Sequence, residues 1–192
     1  MITVIIPTIE PRAELLERAV KSVLRQTCPA GTIIVANDVN RIGAAANRDY
    51  ALSLVTTEYV ACLDDDDEFY PQHLEKLLNT LEHEGADLVY SWYDVVGGHD
   101  PFPQWEGVPW DNEQIHLVPI TWLARTEVVR AHGGFNTWDA DAGPSEQGFL
   151  AGEDFMILRR IARAGQKIVH HPERTWAWHH HGANTMGLPT RW

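Results

Sequence analysis

The sequence predicts an α/β protein with one doubly wound, mostly parallel sheet flanked by helices. Three observations predict it. Short β-rich apolar runs recur at Thr3–Ile6, Thr32–Ala36, Tyr59–Leu63 and Ala86–Ser91. The segments between the runs carry apolar residues at helical spacing. No internal repeat and no linker interrupts the alternation, so the 192 residues read as one domain, divided into a half at 1–93 and a half at 94–192. Strands alternating with helices build a sheet joined by right-handed crossovers.

Each element has its own signal. The first run, Thr3–Ile6, ends at Pro7. Pro11–Gln26 then spaces Leu15, Leu16, Ala19, Val20, Val23 and Leu24 along one helical face, and Pro11 suits a first turn. After the second run, Asn40 is placed to cap a helix from Arg41 to about Leu54. Tyr59–Leu63 follows as the third strand. In Pro71–Glu84, Leu74, Leu77, Leu78 and Leu81 fall at i, i+3, i+4 and i+7, and Gly85 stops the helix. Ala86–Ser91 is the fourth strand. Val95–Asn112, rich in Gly, Pro and Trp, reads as a loop or irregular strand. His116–Ile120 reads as a strand and Arg125–Ala131 as a short helix ended by Gly133 and Gly134. Asn136–Gly152 is a polar loop. Glu153–Arg163 is helical with Gly165 as its stop, and Lys167–Val169 is a last strand before an aromatic, His-rich tail.

Composition excludes several function classes. Apolar residues make up 44% and charged residues 22%, values of an ordinary globular protein. The formal charge of −12, with no local basic patch, argues against nucleic acid as a partner. No apolar run approaches the ~18 residues of a membrane span, and the start lacks the basic region of a signal peptide. The two cysteines, Cys28 and Cys62, allow no disulfide framework and read as reduced thiols of a cytoplasmic protein.

The chemistry concentrates in Asp64-Asp-Asp-Asp67, followed by Glu68, directly after the third strand. In open α/β sheets ligands bind beyond the carboxyl ends of the strands. Asp38, just past the second strand, and Asp64–Asp67 therefore face one crevice. Carboxylates so placed repel one another unless a cation is present. A hard divalent ion, Mg²⁺ or Mn²⁺, would neutralise them and also grip a diphosphate. The competing reading is a solvated acidic turn at the start of the helix near Pro71. An EF-hand lacks its Gly and distal Glu, and neither G-x-x-x-x-G-K nor G-x-G-x-x-G follows a strand, so a diphosphate here must be held mainly by metal.

Several ordered segments resemble the family 2 glycosyltransferases, from Thr3 to about Asn184. Val4-Ile-Ile-Pro-Thr8 is similar to the family's first strand and base-binding turn, and Val23-Leu-Arg-Gln-Thr27 to the end of its first helix. Val35-Ala-Asn-Asp38 stands where the family has an Asp-Asp pair, with Asn37 a departure. Gly43–Leu52, with Arg48, resembles the helix before the third strand, and Glu58–Asp67 the strand followed by D-x-D. Gly133-Gly-Phe-Asn136, Gly152-Glu-Asp154 with Arg160 and Gly165, and Trp178-His179 with His181-x-x-Asn184 resemble later family segments.

This resemblance implies the GT-A nucleotide-diphospho-sugar transferase fold and transfer of a sugar from a nucleotide donor, a UDP-sugar, with inversion. Pro7, Thr8 and Glu10 would line the base pocket, and Asp38 would accept from the base. Arg48 would contact base or diphosphate, and Asp65 the ribose. Asp64 and Asp66 would carry Mn²⁺ or Mg²⁺, and one late histidine, His179 or His181, would complete its shell. Asp154 is the candidate base for the acceptor hydroxyl, with Glu153 able to exchange roles with it. The competing role for the pair is helix capping. The acceptor, expected to be soluble (a glycan, a protein or a small molecule), would meet Val95–Asn112 and Asn136–Gly152, with Trp105, Trp110 and Trp138 as stacking platforms. Two other readings stand beside this one. A phosphatase of the haloacid dehalogenase type also carries D-x-D after a strand, but on its first strand. A nucleotide-sugar-binding domain without turnover would keep the fold alone.

Overall fold

A run of seven buried residues, Ile2–Thr8, forms the first strand, β1, of the computed structural model, which describes residues 1–136 and 152–181. Thr32–Asn37 (β2) pairs parallel to one side of it, and Tyr59–Cys62 (β3) parallel to the other. Both faces of β1 and β3 are covered, which is why their sequences are continuous apolar runs rather than alternating ones. The covering helices are Ala13–Leu24 (α1), Ala44–Ser53 (α2) and His73–Glu84 (α3). In α3 the face made by Leu74, Leu77 and Leu81 is fully buried, and Gly85 ends the helix at φ 59°, a left-handed position that costs glycine nothing.

Beyond β3 the sheet continues with Trp122–Arg125 (β6), Leu88–Val96 (β5), Ile168–His179 (β7) and the two-residue Glu68–Phe69 (β4), in the order β2-β1-β3-β6-β5-β7-β4. Strands β1, β2, β3, β5 and β7 run one way, while β6 and β4 pair antiparallel with their neighbours. The sheet is thus mostly parallel and mixed, as the alternation predicts. Thr126–Ala131 (α4) and Glu153–Arg163 (α5) complete the helices. Trp92, Trp122 and Trp176 are fully buried between these layers, and no helix among the described residues is long and apolar enough to cross a membrane.

The structure departs from the sequence reading at several boundaries. The first helix begins at Ala13, not Pro11, which follows a cis peptide bond from Glu10. Asn40 caps nothing. The Asp38 carboxylate takes the N–H groups of Ile42 and Gly43 and holds 38–43 as a loop, so α2 starts three residues later than expected. His116–Ile120 is not a strand. Pro119 lacks a ladder donor, and His116 instead stacks on Trp105, 4.2 Å between ring centroids. The last strand runs far past Val169. Its partner β5 shifts register between Ser91 and Tyr93, which lets Pro172 and Glu173 bulge out while pairing resumes at Arg174. Trp138 and Asn184 lie outside the described residues.

Candidate active site

The carboxyl ends of β1, β2 and β3 open into a cavity of about 460 Å³. Its polar wall brings Thr8, Asp38, Arg48 and Asp64–Asp67 together with Glu153 and Asp154 at the start of α5. Leu117, Pro119 and Ile120 from the stretch before β6, and Trp176 and Trp178 from β7, give it an apolar side. Pro7 lines it as expected. Glu10 does not: it is exposed and outside the lining.

The acidic turn after β3 is internally sorted. Asp65 is 3% exposed and turned toward β1, where its carboxylate accepts from the Thr8 hydroxyl (2.6 Å) and the Arg12 guanidinium (2.8 Å). Burial works against the charge of Arg12, but Asp65, Asp66 and Asp64 outweigh it and hold the guanidinium above its ordinary pKa. Arg12 also reaches Asp66 Oδ2 at 3.4 Å, and Arg18 donates to the Asp66 backbone carbonyl. The other three carboxylates converge: one oxygen each from Asp64, Asp66 and Asp67 lies within 4.8 Å of the others. Burial, then repulsion from neighbouring aspartates, pushes the Asp66 and Asp67 carboxyls up, Asp67 well above the ordinary range. Such a cluster holds more negative charge than its protein partners balance. Hard oxygen donors at this spacing fit a divalent ion of the Mg²⁺ or Mn²⁺ kind.

Of the two late histidines, His181 donates from Nε2 to Asp66 Oδ2 (3.0 Å). His179 donates its backbone N–H to Asp67 Oδ1 (3.0 Å), while its ring lies 3.8 Å from Glu68. Asp67 was not in the metal set drawn from the sequence, where D-x-D names only Asp64 and Asp66.

Arg48 joins the two acidic stations. Its side chain, 6% exposed, donates to Asp64 Oδ1 at 2.5 Å and to Glu153 Oε1. Burial opposes its charge, yet Asp64 and Glu153 keep it firmly protonated. Glu153 is therefore an ion-pair partner. Asp154 is freer: among the described residues Oδ1 accepts only the Phe155 N–H (2.8 Å), and burial, reinforced by Glu153, pushes its carboxyl up to about 6. A Cβ on Gly152 would come within 2.7 Å of Asp154 Oδ1, so the glycine leaves room for that carboxylate.

Helix α5 is also tied to α2 through the turn at 133–136. Asp49, next to Arg48, accepts from the N–H groups of Phe135 (2.7 Å) and Asn136 (3.0 Å) in the Gly-Gly-Phe turn. Arg160 of α5 donates to the carbonyls of His132 (2.7 Å) and Gly134 in the same turn. Gly134 has φ 62°, and any Cβ there would overlap Asp49 Oδ1 at 2.3 Å. These contacts join the Gly133-Gly-Phe-Asn136 turn, Asp49 and Arg160 into one unit.

Sequence reasoning missed Arg12, Arg18 and Trp176, and placed Trp178 only in the late histidine segment, not in the cavity. Arg12 carried a signal, since it follows the Val4–Thr8 segment by a few residues. Trp176 and Trp178 would have stood out as i, i+2 partners on one sheet face had β7 been read at full length. Trp105 and Trp110 are not in the cavity lining; both pack on His116, and the Trp110 indole donates to Asn112.

A twisted, mostly parallel sheet with carboxylates gathered at its carboxyl edge is the architecture of the GT-A nucleotide-diphospho-sugar transferases. The family model described as "Glycosyl transferase family 2" matches residues 31–135, more than half of the chain, and the chain belongs to that family. No curated protein matches it. Among solved structures it is similar to S. aureus TarS 1-349 in complex with UDP-GlcNAc, with TM-score 0.78 and 15% identity over 95% of this chain and 59% of that one. The same protein without a stated ligand gives TM-score 0.72 and 17% identity over 92% and 59% of the two chains. Its complex with UDP gives 0.70 and 15% over 93% and 60%. At these identities the likeness shows the fold. The chain spans about three-fifths of the length of the TarS 1-349 structures it matches.

Proposed function

We propose that this chain is a single GT-A domain of a metal-dependent, inverting glycosyltransferase, with 1–93 as its nucleotide-binding half and 94–192 as its acceptor and catalytic half. It moves a hexose-type sugar from a nucleotide-diphospho-sugar, a UDP-sugar, to an acceptor hydroxyl. The observation that carries the reading is one cavity holding two separate acidic stations, Asp64–Asp67 and the Glu153-Asp154 pair, with Arg48 bridging Asp64 and Glu153. Family membership and the UDP and UDP-GlcNAc complexes of TarS support the choice of donor.

Asp64, Asp66 and Asp67, with His181, would hold Mn²⁺ or Mg²⁺. When bound, the ion supplies positive charge that steadies the leaving diphosphate. The rest falls to the chain's own groups. Pro7 and Thr8 flank the base, Asp38 reads it, and Asp65, locked by Thr8 and Arg12, faces the ribose. Asp154 takes the proton of the acceptor hydroxyl as that oxygen bonds to C1 and the C1–O bond to phosphate breaks. Glu153, committed to Arg48, positions rather than reacts. One displacement from the side opposite the diphosphate inverts C1. The apolar wall of Leu117, Ile120 and Trp178 suits the carbon face of a sugar. The free cysteines Cys28 and Cys62 support a cytoplasmic setting, and a soluble acceptor remains the proposal.

The test is nucleotide release from a panel of UDP-sugars with and without Mn²⁺. The reading expects UDP to appear only with the metal and with the wild-type cavity. Inorganic phosphate released from simple phosphoesters would point to a phosphatase instead, and UDP binding with no turnover on any acceptor to a binding domain.

A further inference from the structure

Three arginines line the cavity against seven carboxylates. Two of the three are committed, Arg12 to Asp65 and Asp66 and Arg48 to Asp64 and Glu153. Arg41 stands apart. It is exposed, and among the described residues its guanidinium makes no ion pair or hydrogen bond.

Its backbone is also unusual. At φ 52° it is the only non-glycine in the left-handed region among the described residues. There Cβ crowds the following carbonyl oxygen, which is why side-chain-bearing residues rarely adopt it. The loop enforces it. Asp38 donates its N–H to the Thr8 carbonyl (2.8 Å) and accepts from the Arg41 N–H through its own carbonyl (3.2 Å). Its carboxylate then holds the next two N–H groups, Ile42 and Gly43, at 2.8 Å each. Strain over-determined in this way gathers at ligand sites. Glycine would relieve it, and the chain carries arginine instead.

We propose that Arg41 is a donor-binding residue whose guanidinium is presented at the cavity rim to pair with the diphosphate of the nucleotide. The inference rests on the reading of this cavity as a nucleoside-diphosphate site. A guanidinium offers forked donors that match phosphate oxygens, and this is the cavity's one cation not neutralised by a described carboxylate. It adds positive charge to the cavity from the loop that Asp38 holds.

The experiment is calorimetric titration of UDP and of uridine, in Mn²⁺, into the wild type, Arg41→Ala, Arg41→Lys and Arg41→Gly. Arg41→Ala should weaken UDP binding by about ten- to a hundredfold and flatten its dependence on salt, with uridine unchanged. Arg41→Lys should recover part of the loss. Arg41→Gly should bind UDP as weakly as Arg41→Ala while its thermal unfolding midpoint stays level or rises, because glycine releases the backbone. That split separates a binding role from a structural one. Equal UDP affinity in wild type and Arg41→Ala overturns the inference, as does a loss that is the same for uridine and UDP. A wild type that binds no nucleoside diphosphate at all overturns the reading of the cavity, and the inference falls with it.

Discussion

The acidic turn after β3 and the start of α5 both present carboxylates to the same cavity, and they are built in opposite ways. In the turn, arginines brace the acids from α2 and from the region of α1: Arg12 on Asp65 and Asp66, Arg18 on the Asp66 carbonyl, Arg48 on Asp64. Even so, burial pushes both Asp66 and Asp67 upward, reinforced by Asp64 and Asp65 on Asp66 and by Asp64 and Asp66 on Asp67. At α5 the reactive candidate, Asp154, has one backbone N–H among the described residues and a space left by Gly152. Asp64 and Asp65, each paired with an arginine, are held in place. A carboxylate with fewer described partners, raised to about 6, can take a proton near neutrality. The contrast fits the proposed roles, binding at the first station and proton transfer at the second.

The sharpest way to break that assignment is Asp154→Asn. It should lower kcat by about 10²- to 10⁴-fold while UDP affinity stays within about twofold, the range for losing a general base. Wild-type turnover should rise with pH through about 6, since only the ionised Asp154 accepts a proton. An equal loss of binding and turnover in Asp154→Asn would place it with the turn instead. Gly152→Ala is subtler. Its Cβ would sit 2.7 Å from Asp154 Oδ1 and turn that carboxylate aside. Steady-state kinetics should show kcat lowered by about tenfold or more with nucleotide binding intact, because small misplacements of a reacting group are expensive.

Arg48 is the joint between the stations. Arg48→Met leaves Asp64 and Glu153 facing each other without their shared cation. Both retain some solvent contact, so the expected loss is about 2 kcal/mol, below the range for a fully buried pair. Urea unfolding of the variant reads this directly. A further effect concerns two buried histidines outside both stations. Burial pushes His73 down to about 3 and His116 down to about 4, below their ordinary value of 6.5. The unfolded chain therefore binds their protons first. Stability should be complete above pH 6.5 and decline as pH falls from there toward 4, by up to ~1.4 kcal/mol per pH unit for each site. Urea midpoints at pH 7 and pH 5 check it.

The fold was legible wherever one short stretch decided its own structure. β1, β3 and α3 followed from local apolar patterning, and Glu153–Arg163 matches α5 at both ends. The failures have long-range causes. β7 looked short because Pro172 interrupts its pattern, and only pairing with β5 carries the strand past it. The start of α2 depended on where the Asp38 carboxylate points, which no spacing rule states. In the site, residue types and order were enough to select the aspartates, Arg48 and the Glu153-Asp154 pair. They could not show that Asp65 pairs with Thr8 and Arg12 while Asp67 joins Asp64 and Asp66, or that Glu10 lies outside the cavity lining. Those outcomes depend on Thr8, Arg12 and the His179 backbone, which reach the turn from distant parts of the chain.

The division of labour rests on the turn accepting a cation that presents the diphosphate. Calorimetric titration of UDP into metal-free protein, and again in Mn²⁺, tests this most directly. We expect binding at least about tenfold tighter with the metal, equivalent to ~1.4 kcal/mol, and the gain to vanish in Asp66→Asn. Equal affinity with and without Mn²⁺, or a gain that survives Asp66→Asn, would contradict it.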